Sequence, residues 1–73
     1  MHFLDTVVKI KDSSLIELLL DAENRGHFSI EEKEVLEKRV EGKTGSRLMS
    51  FLLNGDDVHG VTHLISALDL RKE

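Results

Sequence analysis

The chain has 73 residues, of which 40% are hydrophobic, a formal net charge of −4 and no Cys. A chain of this length forms one domain at most, and without Cys it can hold neither disulfides nor thiolate-bound metals. The net negative charge disfavours a nucleic-acid partner, because binding to phosphates usually requires a basic face.

The chain contains no long apolar segment. Its longest unbroken apolar runs are three residues, Leu18–Leu20 and Phe51–Leu53, whereas a membrane-spanning helix needs about 20. The first residues carry neither a basic segment nor a long apolar stretch, so we expect no secretory signal. These observations predict a cytoplasmic protein without a membrane span.

Residues 1–12 are compatible with a helix or a strand. Phe3, Val7 and Ile10 have helical spacing, whereas the β-branched Thr6-Val7-Val8 and an alternation of residue types resemble a strand. Because the rest of the chain offers no good strand partner, we expect a short helix. The alternative is a strand that pairs with its symmetry mate in a dimer.

Two capping boxes predict where the next two helices begin. In a capping box, a Ser at the helix N-terminus is followed three residues later by a Glu. The pattern occurs at Ser14 with Glu17 and at Ser29 with Glu32. We therefore expect helices over 14–25 and 30–41, the first of which ends at Gly26, a residue suited to a left-handed C-terminal cap.

Glycines separate two further helices. Gly42-Lys43-Thr44-Gly45 breaks the chain, so a short helix is expected over 47–53, with Asn54-Gly55 as its end. Asp56 can cap a last helix over about 57–70. Gly60, inside this helix, either permits another helix to approach closely or marks a later start.

These elements predict an all-α fold. It is a compact bundle of four short crossed helices, or five if residues 1–12 are helical, in a single helical domain over residues 1–73. The short turns favour such a bundle over a long coiled coil. The positions expected in the core are Leu15, Leu19, Leu36, Leu48, Phe51, Leu52, Leu64, Ile65 and Leu68.

Two segments, Leu15–Leu20 and Leu48–Leu53, share a pattern of two apolar residues, one polar residue and three apolar residues. At about 100° per residue the apolar positions span roughly 200° of a helix, against about 100° for an ordinary surface helix. Monomers usually avoid large exposed apolar patches. The extra width of the apolar stripes predicts contact with another chain, most simply in a symmetric homodimer. The alternative is that these residues are buried within the chain alone.

Within these wide stripes, three residues lie toward one edge and are the predicted partner-contact residues. They are Leu20, Met49 and Leu53. Met suits such a role because its flexible side chain adapts to different surfaces.

Asp56, His59 and His63 are the candidate metal ligands, because residues at i, i+3 and i+7 share a helix face. However, no Glu follows the first His, as it does in the metalloprotease helix motif. Asp56 is better explained as a helix cap and the histidines as solvent-facing side chains. We therefore expect neither a metal nor another cofactor.

No catalytic constellation is recognisable. Several serines suit helix caps and none lies in a nucleophile turn, and adjacent carboxylates at Asp56 and Asp57 diverge by about 100° on a helix. The sequence predicts a non-enzymatic module that acts by protein–protein contact. It would be a small regulator or inhibitor that binds a protein partner, self-associates, or does both.

A dimeric DNA-binding regulator is the alternative function. Helix 30–41, turn 42–45 and helix 46–53 have roughly the proportions of a helix-turn-helix. Against it, the recognition helix offers only Arg47 and Ser50 to base edges, and neighbouring acids match the bases around it.

Overall fold

Five helices joined by short turns make up the computed structural model, which describes residues 3–71, with side chains described as far as Asp69. The helices are α1 (Phe3–Val7), α2 (Ser13–Arg25), α3 (Ile30–Arg39), α4 (Ser46–Asn54) and α5 (Val58–Arg71). The predicted all-α bundle is confirmed, and the predicted bounds of α2 to α5 agree with the structure within two residues.

The strand alternative for residues 1–12 is wrong, because residues 3–7 form a helix. Adjacent residues of a strand point to opposite faces, whereas Thr6 and Val7 are both buried. Each β-branched residue costs a helix only a few tenths of a kcal/mol, less than the roughly 1.5 kcal/mol that burial of a Val contributes. Packing of α1 against α5 therefore outweighs local propensity.

Helix α2 begins at Ser13, one residue before its predicted start, and the predicted capping box of Ser14 with Glu17 is wrong because the N-cap is Asp12. The side chain of Asp12 is the N-cap, and its Oδ1 accepts hydrogen bonds from the backbone N–H of Ser14 at 2.9 Å and of Leu15 at 3.4 Å. A carboxylate at this position also complements the helix dipole. The predicted end at Gly26 is confirmed, since Gly26 is left-handed with φ of 88°.

The capping box of α3 is confirmed. Ser29 Oγ accepts a hydrogen bond from the N–H of Glu32 at 3.1 Å, and Glu32 Oε1 accepts one from the N–H of Ser29 at 2.9 Å. The same Glu32 carboxylate pairs with Arg25 at the end of α2. This network fixes the angle at which the chain leaves α2 and enters α3.

The cap of α5 is Asp57 rather than the predicted Asp56. Asp57 Oδ1 accepts a hydrogen bond from the N–H of Gly60 at 3.0 Å. Asp56 has a positive φ of 52° and its Oδ1 accepts from the N–H of Phe28 at 3.2 Å. This bond ties the α4–α5 turn to the α2–α3 turn, so Asp56 has a tertiary role that its sequence position does not reveal.

Helix α5 lies at the centre of the bundle, where it packs against α1, α2 and α4, while α3 packs against α4. Every helix therefore has one covered face. The buried apolar side chains are Val7, Ile10, Leu15, Leu19, Ala22, Phe28, Leu36, Val40, Met49, Leu53, Val58, Val61 and Ile65.

Seven of the nine predicted core residues are buried or half-buried, and the two exceptions lie on α4. The buried positions are Leu15, Leu19, Leu36 and Ile65, and the half-buried ones are Leu52, Leu64 and Leu68. Leu48 and Phe51 are exposed, whereas Met49 and Leu53, predicted to contact a partner, are buried within their own chain. The cause is the roll of α4 about its axis, which turns the Met49 edge of its apolar stripe toward the core.

An ion pair links three elements at one end of the bundle. Asp69 on α5 is only 5% exposed, and its Oδ1 accepts a hydrogen bond from Arg39 Nη2 at 2.6 Å. Arg39 Nη1 also lies 3.6 Å from Oδ2 of Asp12, the N-cap of α2. Oδ2 of Asp69 is buried and has no hydrogen-bond partner among the described residues. Arg39 is thus the group that compensates the buried carboxylate.

Candidate protein interface

Several large apolar side chains remain on the surface although the core is complete. Among the described residues they are Leu4, Val8, Leu20, Ile30, Val35, Leu48 and Phe51. Isolated exposed apolar residues are ordinary, but neighbouring ones that line a concavity indicate a binding surface. Leu4 and Leu20, on α1 and α2, line one concavity together, and Phe51 on α4 lines another.

The α4 group consists of Leu48 and Phe51, which lie three residues apart on one helix face. Phe51 is 73% exposed and Leu48 is 49% exposed. Beside them the half-buried Leu52 lines a concavity with Phe51, Asn54, Gly55 and Asp57. The exposed side of α4 therefore carries two large apolar side chains, Leu48 and Phe51, beside the polar Arg47, Ser50 and Asn54.

The second group lies around α1. Leu4 and Leu20 line a concavity together with Phe3, Glu23, Asn24 and His59. Leu20 is the one predicted contact residue that the structure leaves exposed.

A stacked pair of rings connects α1 to α5. The ring of Phe3 lies on the imidazole of His59, with centroids 4.9 Å apart and planes inclined by 27°. His59 Nε2 also contacts the carboxylate of Glu23 on α2. These contacts hold three helices together around His59 and leave its ring 64% exposed.

A middle concavity joins the two groups. It is lined by Phe3, Thr6, Asp57, His59, Gly60 and His63. It shares Phe3 and His59 with the concavity at Leu4 and Leu20, and Asp57 with the concavity at Phe51. The three concavities are thus neighbours, and we call their combined lining the apolar groove, whose principal residues are Leu4, Leu20, Phe3, His59, Asp57, Leu52 and Phe51.

Gly60 keeps the middle of the apolar groove open. A Cβ at this position would lie 2.5 Å from Asp57 Oδ2 and 3.1 Å from Leu52 Cδ2. Helix α5 begins at Val58, so Gly60 does not mark a later start, and the side chain of Leu52 on α4 approaches it closely. Any larger residue would displace the carboxylate that caps α5, or the side chain that forms the groove wall.

The charge of the apolar groove is acidic. Within the described part of the chain, its lining includes the carboxylates of Glu23 and Asp57 but neither Lys nor Arg. A second acidic surface lies between α3 and α4, where Glu34, Glu37 and Glu41 surround Lys38 and Ser50. The lining of that surface contains no exposed apolar side chain. Among these concavities, carboxylates and exposed apolar side chains therefore occur together only in the groove.

The predicted metal ligands do not converge. Asp56 is held by Phe28 and Lys33, His59 contacts Glu23, and His63 is exposed at the edge of the apolar groove. No group of three or more His, Cys, Asp or Glu side chains within the described residues is arranged to hold a metal ion.

Sequence reasoning missed the role of α1 in the surface. Phe3 and Leu4 were expected only as part of an ambiguous segment, yet they line two of the three concavities between them. The helical spacing of Phe3 and Val7 was the available signal. It could not indicate that α1 would lie against α5.

Two carboxylates that accept hydrogen bonds from the α2–α3 turn, Glu32 and Asp56, have lowered pKa values. Partial burial acts to raise the pKa of Glu32, but hydrogen bonds from Arg25 and the N–H of Ser29 outweigh it and hold the pKa below its ordinary value. The N–H of Phe28 lowers the pKa of Asp56, and Lys33 Nζ, 3.6 Å away, adds to this effect.

We expect acid to destabilise the protein through these two carboxylates. A carboxyl group with a lowered folded-state pKa stabilises the fold above its unfolded pKa, and this stabilisation disappears as pH falls toward the folded pKa. The melting temperature should therefore hold from neutral pH to about 5 and fall below about 4. Glu32→Gln, which preserves the capping box, should flatten this fall. Thermal unfolding followed by circular dichroism between pH 7 and 3 measures it, and an unchanged slope in the variant would contradict the assignment.

No helix in the described part of the chain combines the length and the apolar character needed to cross a membrane. Comparisons with protein-family models, with curated proteins and with solved structures gave no match.

Proposed function

We propose that this protein is a non-enzymatic helical module, a small regulator or inhibitor that acts by presenting the exposed apolar face of α4 to another protein chain. The observation that carries the proposal is the exposure of Phe51, 73%, next to Leu48 on the same helix face. Phe is a poorer helix former than Glu, Lys or Arg. Burying it would contribute roughly 1.5–3 kcal/mol, but only when another surface covers it.

The arrangement of α4 supports the proposal further. Its apolar stripe is wider than the core requires, and Met49 and Leu53 already fill the inward side. Leu52 packs against the core from its edge, whereas Leu48 and Phe51 are exposed and add little to the core of the isolated chain. Two kinds of molecule can cover them, a different protein or a second copy in a homodimer, and either agrees with an interaction module.

The α3–α4 pair does not support the alternative of DNA binding. A recognition helix presents polar and basic side chains to base edges. Here the exposed side of α4 includes Leu48 and Phe51 beside Arg47 and Ser50, and Ser50 Oγ lies 3.3 Å from a carboxylate oxygen of Glu37. An acidic and apolar surface at this position would repel phosphates.

Site-specific photo-crosslinking in the native cells tests the proposal. A benzophenone side chain at Phe51 should give a discrete covalent adduct, with another protein or with a second copy, that mass spectrometry identifies. Ile30 is an equally suitable matched control because it is 76% exposed on α3, does not line the apolar groove, and should give only background.

A charged variant gives an independent check. Phe51→Glu should compete poorly for the adduct-forming partner while its stability changes by no more than about 0.5 kcal/mol, since position 51 faces solvent. Identical adduct patterns from positions 51 and 30 would contradict the proposal.

A further inference from the structure

We infer that the apolar groove is the docking site for a basic amphipathic helix of a different protein. The inference rests on the proposed function and assigns the chemistry of the partner. The groove offers three successive concavities that share residues along one face, from Leu4 and Leu20, past Phe3 and His59, to Leu52 and Phe51. A helix that lies in a groove presents apolar anchors at i, i+3 or i+4, and i+7, one for each successive depression.

The acidic lining of the groove favours cations on the partner. Glu23 and Asp57 line it, and within the described residues no Lys or Arg does so. Asp57 uses Oδ1 to cap α5, while its Oδ2 points toward the space that Gly60 leaves open. A Lys or Arg beside the apolar anchors of the partner would pair with these carboxylates and set its orientation.

A second copy of the chain does not fit this surface. A two-fold dimer buries the same patch on both subunits. Groove-to-groove contact would bring Glu23 and Asp57 of both copies into one interface, where the described lining adds neither Lys nor Arg and offers only the contact of His59 with Glu23. A membrane fits no better, because helices that lie on anionic lipid carry Lys and Arg around their apolar face.

Two synthetic helical peptides test the inference on the intact protein. Both carry the same Leu anchors at i, i+4 and i+7, and one has Lys and Arg on its flanks where the other has Glu. We expect the basic peptide to bind with a micromolar dissociation constant in fluorescence anisotropy and to shift the amide resonances of Phe3, His59, Gly60 and Phe51. The acidic peptide should not bind.

The variants separate groove binding from general attraction to an acidic protein. Asp57→Asn keeps the helix cap, because Asn caps as well as Asp. Together with Glu23→Gln it should weaken binding of the basic peptide about fivefold and reduce the salt dependence of that binding. The matched control is Glu34→Gln in the acidic concavity between α3 and α4, which should leave binding unchanged.

Several results would overturn the inference. They are binding of both peptides alike, resonance shifts confined to the α3–α4 concavity, concentration-dependent shifts of groove residues without peptide, or cosedimentation with phosphatidylcholine–phosphatidylserine vesicles. If position 51 gives an adduct in cells but the basic peptide does not bind, the inference of a basic helical partner is refuted, whereas the proposed function as an interaction module is not. Absence of both the Phe51 adduct and binding of the basic peptide would refute the inference and the proposed function together.

Discussion

Met49→Ala is expected to lower the free energy of unfolding by about 2–5 kcal/mol, because it removes a fully buried side chain and leaves a cavity. Met49 is 0% exposed on α4, where the helix packs against α3 and α5. A 73-residue domain is expected to have a total stability of about 4–11 kcal/mol. The substitution should therefore remove a large part of the stability, and urea unfolding measured by circular dichroism will quantify it.

The matched control is Phe51→Ala on the same helix. Although Phe is the larger side chain, position 51 faces solvent, so we expect a change of about 0.5 kcal/mol or less. The order of the two effects is the decisive result. If Phe51→Ala were the more damaging change, α4 would be rolled the other way about its axis, with the Leu48 and Phe51 edge in the core.

Arg39→Met is expected to destabilise the protein by about 3 kcal/mol, because it leaves the carboxylate of Asp69 buried without a counter-ion. The pair joins α3 to α5, and Arg39 also lies near the cap of α2. Replacing a buried pair by apolar residues is often close to neutral. The double variant Arg39→Met with Asp69→Leu should therefore recover most of the stability that the single change loses.

A double-mutant cycle by urea unfolding measures this coupling. The control pair is Arg25 with Glu32, in which the Arg side chain is 40% exposed. Removing that Arg should change the free energy of unfolding far less than Arg39→Met does, because exposed ion pairs contribute little to stability. Equal effects of Arg39→Met and Arg25→Met would contradict the buried role of Asp69.

The features that could be predicted from sequence are local. The capping box of Ser29, the left-handed Gly26 and the apolar periodicity each depend on residues within a few positions of one another. The helix bounds therefore came out nearly right. At Asp56 the local signal failed because of a distant contact: its carboxylate accepts a hydrogen bond from Phe28, 28 residues away, and leaves the cap to Asp57.

The candidate site was less predictable because it is assembled from four helices. Leu20 alone among the expected contact residues is exposed, and Phe3 and Leu4 entered the surface only when α1 packed against α5. The acidic charge of the groove was equally hidden, because Glu23 and Asp57 lie 34 positions apart in the chain.

The segments Leu15–Leu20 and Leu48–Leu53 have the same apolar pattern, so they show what the sequence determines and what the tertiary structure decides. By itself the sequence determined that each helix has an apolar stripe of roughly 200°, wider than one neighbour covers. Only the tertiary structure decided which edge stays exposed: the Leu20 edge on α2, but the opposite edge, Leu48 and Phe51, on α4. Stripe width follows from spacing along the chain. The roll of a helix about its axis is set by the neighbours against which it packs, and that depends on the whole bundle.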